Sequence, residues 1–189
     1  MKWIVLIILI VAGSGHAGES SGTASDFGVG PDTYCVVAAT PNRLILELRK
    51  YSDDQLLHDV VLMSRYMVPE YKIDDVVLDD TFEIIVRTRG GGTGIAETHL
   101  EVFGFVADKI VRFGDFVIDR RSNFPGYRDR LSGEVSFPKK NYLLYRYTEE
   151  ITEGKTVTKK AIVMYIFNPE ILKYEKTKEP EQGGSPDRR

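Results

Sequence analysis

One cysteine, Cys35, stands in 189 residues, so no intramolecular disulfide can staple this fold. Histidine is almost as scarce. Beyond His16 only His58 and His99 occur, too few for the clustered His/Cys/Asp/Glu ligands of a zinc site. Lys and Arg are dispersed and the formal charge is −3, which excludes the basic footprint of a nucleic-acid binder. No Asn is followed two residues later by Ser or Thr, so no N-glycosylation acceptor exists. The glycine run at 90–94 leads to no Gly-Lys-Ser/Thr, which excludes a phosphate loop. After residue 17 no apolar run approaches the ~20 residues of a membrane-spanning helix.

What is present begins with an export signal. Lys2 precedes an unbroken apolar run, Trp3–Ala12, and small residues then offer a cleavage point after Ala17. Positive, apolar and small residues in that order are the layout of a secretory signal peptide, here residues 1–17. Export without disulfides or glycosylation acceptors indicates a bacterial periplasmic or secreted protein. Residues 18–30 (GESSGTASDFGVG) read as a flexible leader. Residues 31–172 suffice for a single β domain with its own core. From Lys173 the chain is charged and aperiodic, and 173–189 reads as a disordered tail.

Within 31–172 the recurring signal is the strand. In Arg43–Lys50, Leu44, Leu46 and Leu48 fall on one face while Ile45, Glu47 and Arg49 fall on the other. Thr33–Ala39, Thr81–Thr88, Thr98–Val106, Ile110–Arg120, Gly133–Phe137, Tyr142–Thr148 and Thr156–Phe167 also read as strands. Gly114 marks a bulge or bend, and Tyr142, Tyr145 and Tyr147 read as cross-strand packing residues. Residues 52–68 support two readings. Ser52-x-x-Gln55 is a capping box, Asp53 and Asp54 suit a first helical turn, and Pro69 would end the helix. The same residues also read as a turn followed by a strand, Leu56–Met63. The expected fold is an all-β antiparallel meander of about nine strands, arranged as a sandwich, barrel or propeller-like unit, with one short helix near 52–68 as the alternative there.

The strands group into three units of like plan, with middle strands starting at residues 43, 98 and 142. The stretch VVLDDTFEIIVRTRGGGTG, then THLEVFGFVADKIVRFGDF, resembles the repeats of secreted bacterial FG-GAP/VCBS-type proteins over about a quarter of the chain, Val76–Phe116. Asp79-Asp80-Thr81 matches the aspartate-bearing turn, Glu83–Val86 the strand, and Asp108-Lys109 the second turn. The resemblance implies a β-propeller-like scaffold used for binding, with calcium at Asp79 and Asp80. The turn here has only that Asp pair, with no glycine completing the loop.

Candidate binding residues fall in two stretches. Arg89, Gly90, Gly91, Gly92 and Thr93 form a glycine-rich bridge that could present backbone N–H groups to an anion; its plainer reading is a hinge between strands. Arg120, Arg121, Arg128 and Arg130 surround Phe124-Pro125-Gly126-Tyr127, and arginine with aromatics is the composition of an interface hot spot. His99 opens a strand beside them in sequence. Cys35 lies among Tyr34, Val36 and Val37, where a thiol reads as a small buried hydrophobe. The expected function is an exported, non-catalytic binding protein for a protein or envelope ligand, with no cofactor beyond calcium. The alternatives are a hydrolase with paired carboxylates near Asp74–Glu83 and a calcium-stabilised structural module.

Overall fold

A computed structural model describes residues 23–65, 69–77 and 81–177. The signal segment 1–17 and the aspartates Asp79 and Asp80 lie outside them. Among the described residues there is no helix, and twelve strands run as antiparallel meanders in two sheets. The first sheet holds β1 (Thr23–Gly28), β2 (Thr33–Thr40), β3 (Arg43–Lys50) and β4 (Leu56–Met63) in that order. The second runs β5 (Glu70–Asp74), β6 (Glu83–Gly92), β7 (Ile95–Val106), β8 (Lys109–Phe124), β9 (Tyr127–Lys139), β10 (Tyr142–Glu153), β11 (Lys155–Asn168) and β12 (Lys173–Lys176). It does not close into a barrel, and β5 and β12 are its edges.

Residues 56–63 form a strand because β4 pairs with β3 and lays Val60 and Leu62 beside Leu46 and Leu44. The helix-capping residues serve a turn instead. Asp53 Oδ1 accepts the Gln55 N–H at 3.2 Å, and Asp54 takes φ 58°. Two further expectations change at the chain's ends. The stretch read as a flexible leader contains β1, whose backbone pairs with β2 from Thr23 to Gly28. The stretch read as a disordered tail begins with β12, which anchors Tyr174 in the core.

The second sheet folds over on itself. β8 pairs with β9 only through Asp119–Phe124 and Tyr127–Ser132. Below that corner the two strands part. β8 continues beside β7, while β9 continues beside β10. Phe113 meets Phe167 at 4.7 Å between ring centroids, and Phe116 meets Tyr165 at 5.2 Å, across the fold. Three layers therefore stack: β1–β4, β5–β8 and β9–β12. One core lies between the first two and contains Val37, Leu44, Leu46, Ile84, Val86 and Phe103. The other lies between the second two and contains Ile85, Val102, Phe113, Leu143 and Phe167. At about 1.5–3 kcal/mol for each fully buried large apolar side chain, packing substitutes for the absent disulfides. The Asn141 N–H donates to Val76 O and the Phe167 N–H to Asn141 O, each at 2.8 Å, which pins the third layer to the second.

Candidate hairpin-end binding site

In an antiparallel meander every second turn falls at the same end. The β6–β7 turn (Thr93-Gly94), the β8–β9 turn (Pro125-Gly126) and the β10–β11 turn (Gly154) therefore share one end of the second sheet. Gly94 at φ 82° and Gly126 at φ 79° supply the left-handed backbone that such tight connections demand. The glycine-rich bridge is thus the arm of a hairpin rather than a hinge: Gly90, Gly91 and Gly92 pair with Glu97, Ala96 and Ile95. A Cβ on Gly91 would fall 2.3 Å from Ile95 O, so the close strand approach depends on glycine there.

The two candidate stretches meet at this end. The Asn123 N–H donates to Gly94 O at 2.9 Å. The Phe124 ring covers Gly94 so closely that a Cβ there would come within 2.8 Å of it. Residues 121–130 form two strand arms joined by a two-residue turn. Strand alternation then sorts the arginines. Arg120 points to one face, where its Nε lies 2.7 Å from Asp129 Oδ2 and its Nη2 lies 2.6 Å from Glu149 Oε1. It holds strands together and is not available to a ligand. Arg121, Arg128 and Arg130 occupy the opposite face and are exposed. Arg121 stands directly across from Arg130, and Arg128 across from Asn123. On β10, Glu150 faces Arg130 and Thr152 faces Arg128. Among the described residues no carboxylate lies within ion-pair distance of Arg128 or Arg130, and Arg121 has only Asp119, at 3.6 Å.

Beside these cations lies a groove of about 660 Å³ lined by Asn123, Phe124, Tyr127, Arg128, Thr152 and Thr156, with the 125–126 turn as its rim. Its size suits a small-molecule or chain-segment ligand. It combines two aromatic faces, one guanidinium, one amide and two hydroxyls. A second concavity of about 530 Å³ lies across β9–β11 around Gly133, Arg146 and Tyr147. There Arg146 stands opposite Glu134.

Comparison with protein-family models, curated proteins and solved structures finds no match to this chain.

The other sequence candidates lie elsewhere. The Arg89 N–H donates to Ser64 Oγ at 3.1 Å, and Arg65 Nη1 donates to Gly91 O, also at 3.1 Å. Ser64 and Arg65 thereby close the β6 edge beside the glycines, so this edge of the run holds protein rather than a ligand. His99 sits about 17 Å down β7 from the hairpin tip, at ~3.4 Å per residue. Its Nδ1 lies 2.8 Å from Asp115 Oδ1 and its Nε2 3.5 Å from Glu97 Oε2. Beside them Arg112 Nη1 contacts the buried Glu101 at 3.0 Å and Asp115 at 3.4 Å. The Asp115 hydrogen bond, reinforced by Glu97 and Glu101, raises the His99 pKa, and the same bond lowers that of Asp115.

Cys35 is wholly buried on β2, and burial pushes its thiol up to about 12, the opposite of an activated nucleophile. Strand β3 separates it from His58. The described carboxylates near the expected hydrolytic pair have structural partners. Asp74 pairs with Lys72 at 2.9 Å, Asp75 pairs with Lys140, and Glu83 accepts the Val76 and Val77 N–H groups at 2.8 and 3.1 Å. Among the described residues no group of three or more His, Cys, Asp or Glu side chains is placed to hold a metal ion.

Sequence reasoning missed Thr152 and Thr156 of the groove, and Glu97, Glu101, Arg112 and Asp115 around His99. The register carries part of the first pair: a turn at 154 sets Thr152 opposite Thr156, whereas Thr152 faces Arg128 only through the β9–β10 pairing, which is shifted by a bulge at Tyr142–Leu144. The ionic cluster had no such signal, because its members come from two strands joined through bulged pairing.

Proposed function

We propose that the chain is an exported, non-catalytic binding protein that recognises a protein or cell-envelope ligand through the hairpin end of its second sheet. The observation that carries this reading is the meeting of the two candidate stretches. The Phe124–Tyr127 turn packs on the glycine tip, and Arg121, Arg128 and Arg130 are left exposed beside a groove. Exposed arginine next to aromatic side chains is the composition that concentrates binding energy at interfaces. Strand pairing fixes the backbone that presents these groups, so binding orders side chains but not the chain that carries them.

The test is affinity capture from envelope extract of the organism that encodes the chain. The parent is expected to enrich a ligand that an Arg121→Ala/Arg128→Ala/Arg130→Ala variant loses. Equal capture by both would remove the hairpin end from the reading. A catalytic role would instead require turnover of a substrate abolished by changes at the hairpin end.

A further inference from the structure

We infer that the ligand of the hairpin end is an acidic polysaccharide, held by Arg121, Arg128 and Arg130 with its rings against Tyr127 and Phe124. This inference rests on the binding reading above and names the ligand class for the same site.

The first support is the Arg121–Arg130 pair. Side chains directly opposite on antiparallel strands have Cβ atoms roughly 5 Å apart, and like charges there repel. The opposite face shows the alternative: Arg120 is neutralised by Asp129 and Glu149. On the ligand face the same hairpin leaves three cations against Asp119 and Glu150. An anionic group bridging the two guanidiniums turns that repulsion into charge-assisted hydrogen bonds. Arg128 lies two residues further along β9 from Arg130, about 7 Å toward the tip. The cations therefore form a cluster, two side by side across the ladder and one toward the tip, which suits a chain with repeated anionic groups better than a single small anion.

The second support is the groove at the turn, which Asn123, Arg128, Thr152 and Thr156 line from the arginine face, while Phe124 and Tyr127 alternate onto the Arg120 face and reach the groove from the turn itself. Thr152 Oγ1 and Thr156 Oγ1 sit 3.0 Å apart and can each donate or accept. Aromatic faces with hydroxyl and amide groups match the apolar face and polar rim of a sugar ring. A membrane surface fits less well. A bilayer meeting the turn would leave the Arg121–Arg130 pair about 14 Å away, beyond the ~8 Å Debye length at physiological salt.

The test is binding of the full chain to short polygalacturonate, with dextran, poly-L-glutamate and phosphatidylglycerol vesicles as parallel probes. We expect polygalacturonate to bind, weakening as salt rises, with dextran and the vesicles not retained and poly-L-glutamate weaker. The Arg121→Ala/Arg128→Ala/Arg130→Ala variant is expected to lose roughly tenfold or more, the scale of one or two charge-assisted contacts. Tyr127→Ala is expected to weaken polygalacturonate while leaving the salt dependence unchanged. Lys109→Ala, at the opposite end of the sheet, is expected to change nothing. Thermal unfolding of each variant separates loss of binding from loss of fold. No binding, binding equal to that of poly-L-glutamate, or retention by vesicles alone would overturn the inference. If capture from envelope extract still depends on the arginines in that case, the binding reading stands and only the ligand class fails. If capture also fails, both fall.

Discussion

Alternation along one strand gives adjacent arginines opposite roles. Arg120 pairs with an Asp129 that is only 7% exposed. Removing one partner of a buried pair costs far more than the pair contributes, because the other charge stays buried. We expect Arg120→Ala to cost about 3 kcal/mol in chemical denaturation, with Asp129→Asn recovering part of that in the double variant. Arg130→Gln should do the reverse. It relieves Arg121 of a like charge across the ladder and is expected to raise stability by up to about 1 kcal/mol in the free protein. A destabilising Arg130→Gln would show that the pair is already compensated and would weaken the case for an anionic ligand.

His99 sets a pH dependence whose sign can be worked out. Asp115, then Glu97 and Glu101, raise its pKa above the ordinary 6.5, while Arg112 shares Asp115 and Glu101. The folded state then holds the proton more tightly than the unfolded chain. The stabilisation is fully present below about pH 6.5 and is lost as pH rises through the raised folded value. At the acid end Asp115 has a lowered pKa, so its contribution falls away only as pH drops through that lowered value. We expect the gap in melting temperature between the parent and His99→Gln to be wide at pH 5.5–6 and to close toward pH 9. A gap independent of pH would mean that His99 acts through packing alone.

At the scale of elements, glycines recur beneath aromatic rings. A Cβ on Gly104 would fall 2.1 Å from the Phe113 ring, one on Gly114 2.6 Å from Phe116, and one on Gly133 2.6 Å from Tyr145. Each ring covers the space that its glycine leaves empty, a device that restores packing where a strand lacks a side chain. Gly104→Ala is therefore expected to cost about 1–3 kcal/mol by overpacking, and a Gly104→Ala/Phe113→Leu pair to cost less than the sum of its parts. Additive losses would show that ring and glycine do not compete for one volume.

The elements also show how far the sequence reaches. Nine of the twelve described strands were legible, and the three expected triplets correspond to β2–β4, β6–β8 and β9–β11, whereas β5, which lays Tyr71 on the first core, was missed with β1 and β12. The second and third triplets, however, belong to one folded-over sheet. The hairpin arms were not legible. Arg121–Phe124 and Tyr127–Leu131 keep the period-two burial, but polar Ser122 and Asp129 fill the buried positions, and Arg89–Gly92 carries no apolar side chain, so no apolar alternation marks these arms. β1 and β12 bury too little to register: β12 contributes only Tyr174 to a core. The site was half legible. Residue type marked the arginines and aromatics, whereas the split between Arg120 and Arg121, Arg128 and Arg130 needed the strand assignment.

At the scale of the whole molecule, two cores share one pair of strands. β6 and β7 send Ile84, Val86 and Phe103 into one core and Ile85 and Val102 into the other. Neither outer layer can leave without exposing a face of that pair. Leu46→Ala should cost about 2–5 kcal/mol through the first core, and Phe113→Ala about 3–5 kcal/mol through the second. Because the middle layer couples them, we expect both variants to unfold in a single transition at lower denaturant. Two transitions in Leu46→Ala would mean that β1–β4 comes away alone. Hydrogen exchange localises the same coupling. Amides of residues 84–86 and 102–103 should exchange last in the parent, through global unfolding, while those at 92–95, 124 and 126–127 exchange through local opening. The Arg121→Ala/Arg128→Ala/Arg130→Ala variant should leave the slow set unchanged, because those side chains stand on the exposed face of the hairpin end and belong to neither core. Faster exchange of residues 84–86 in that variant would show that the binding end and the cores are not separable.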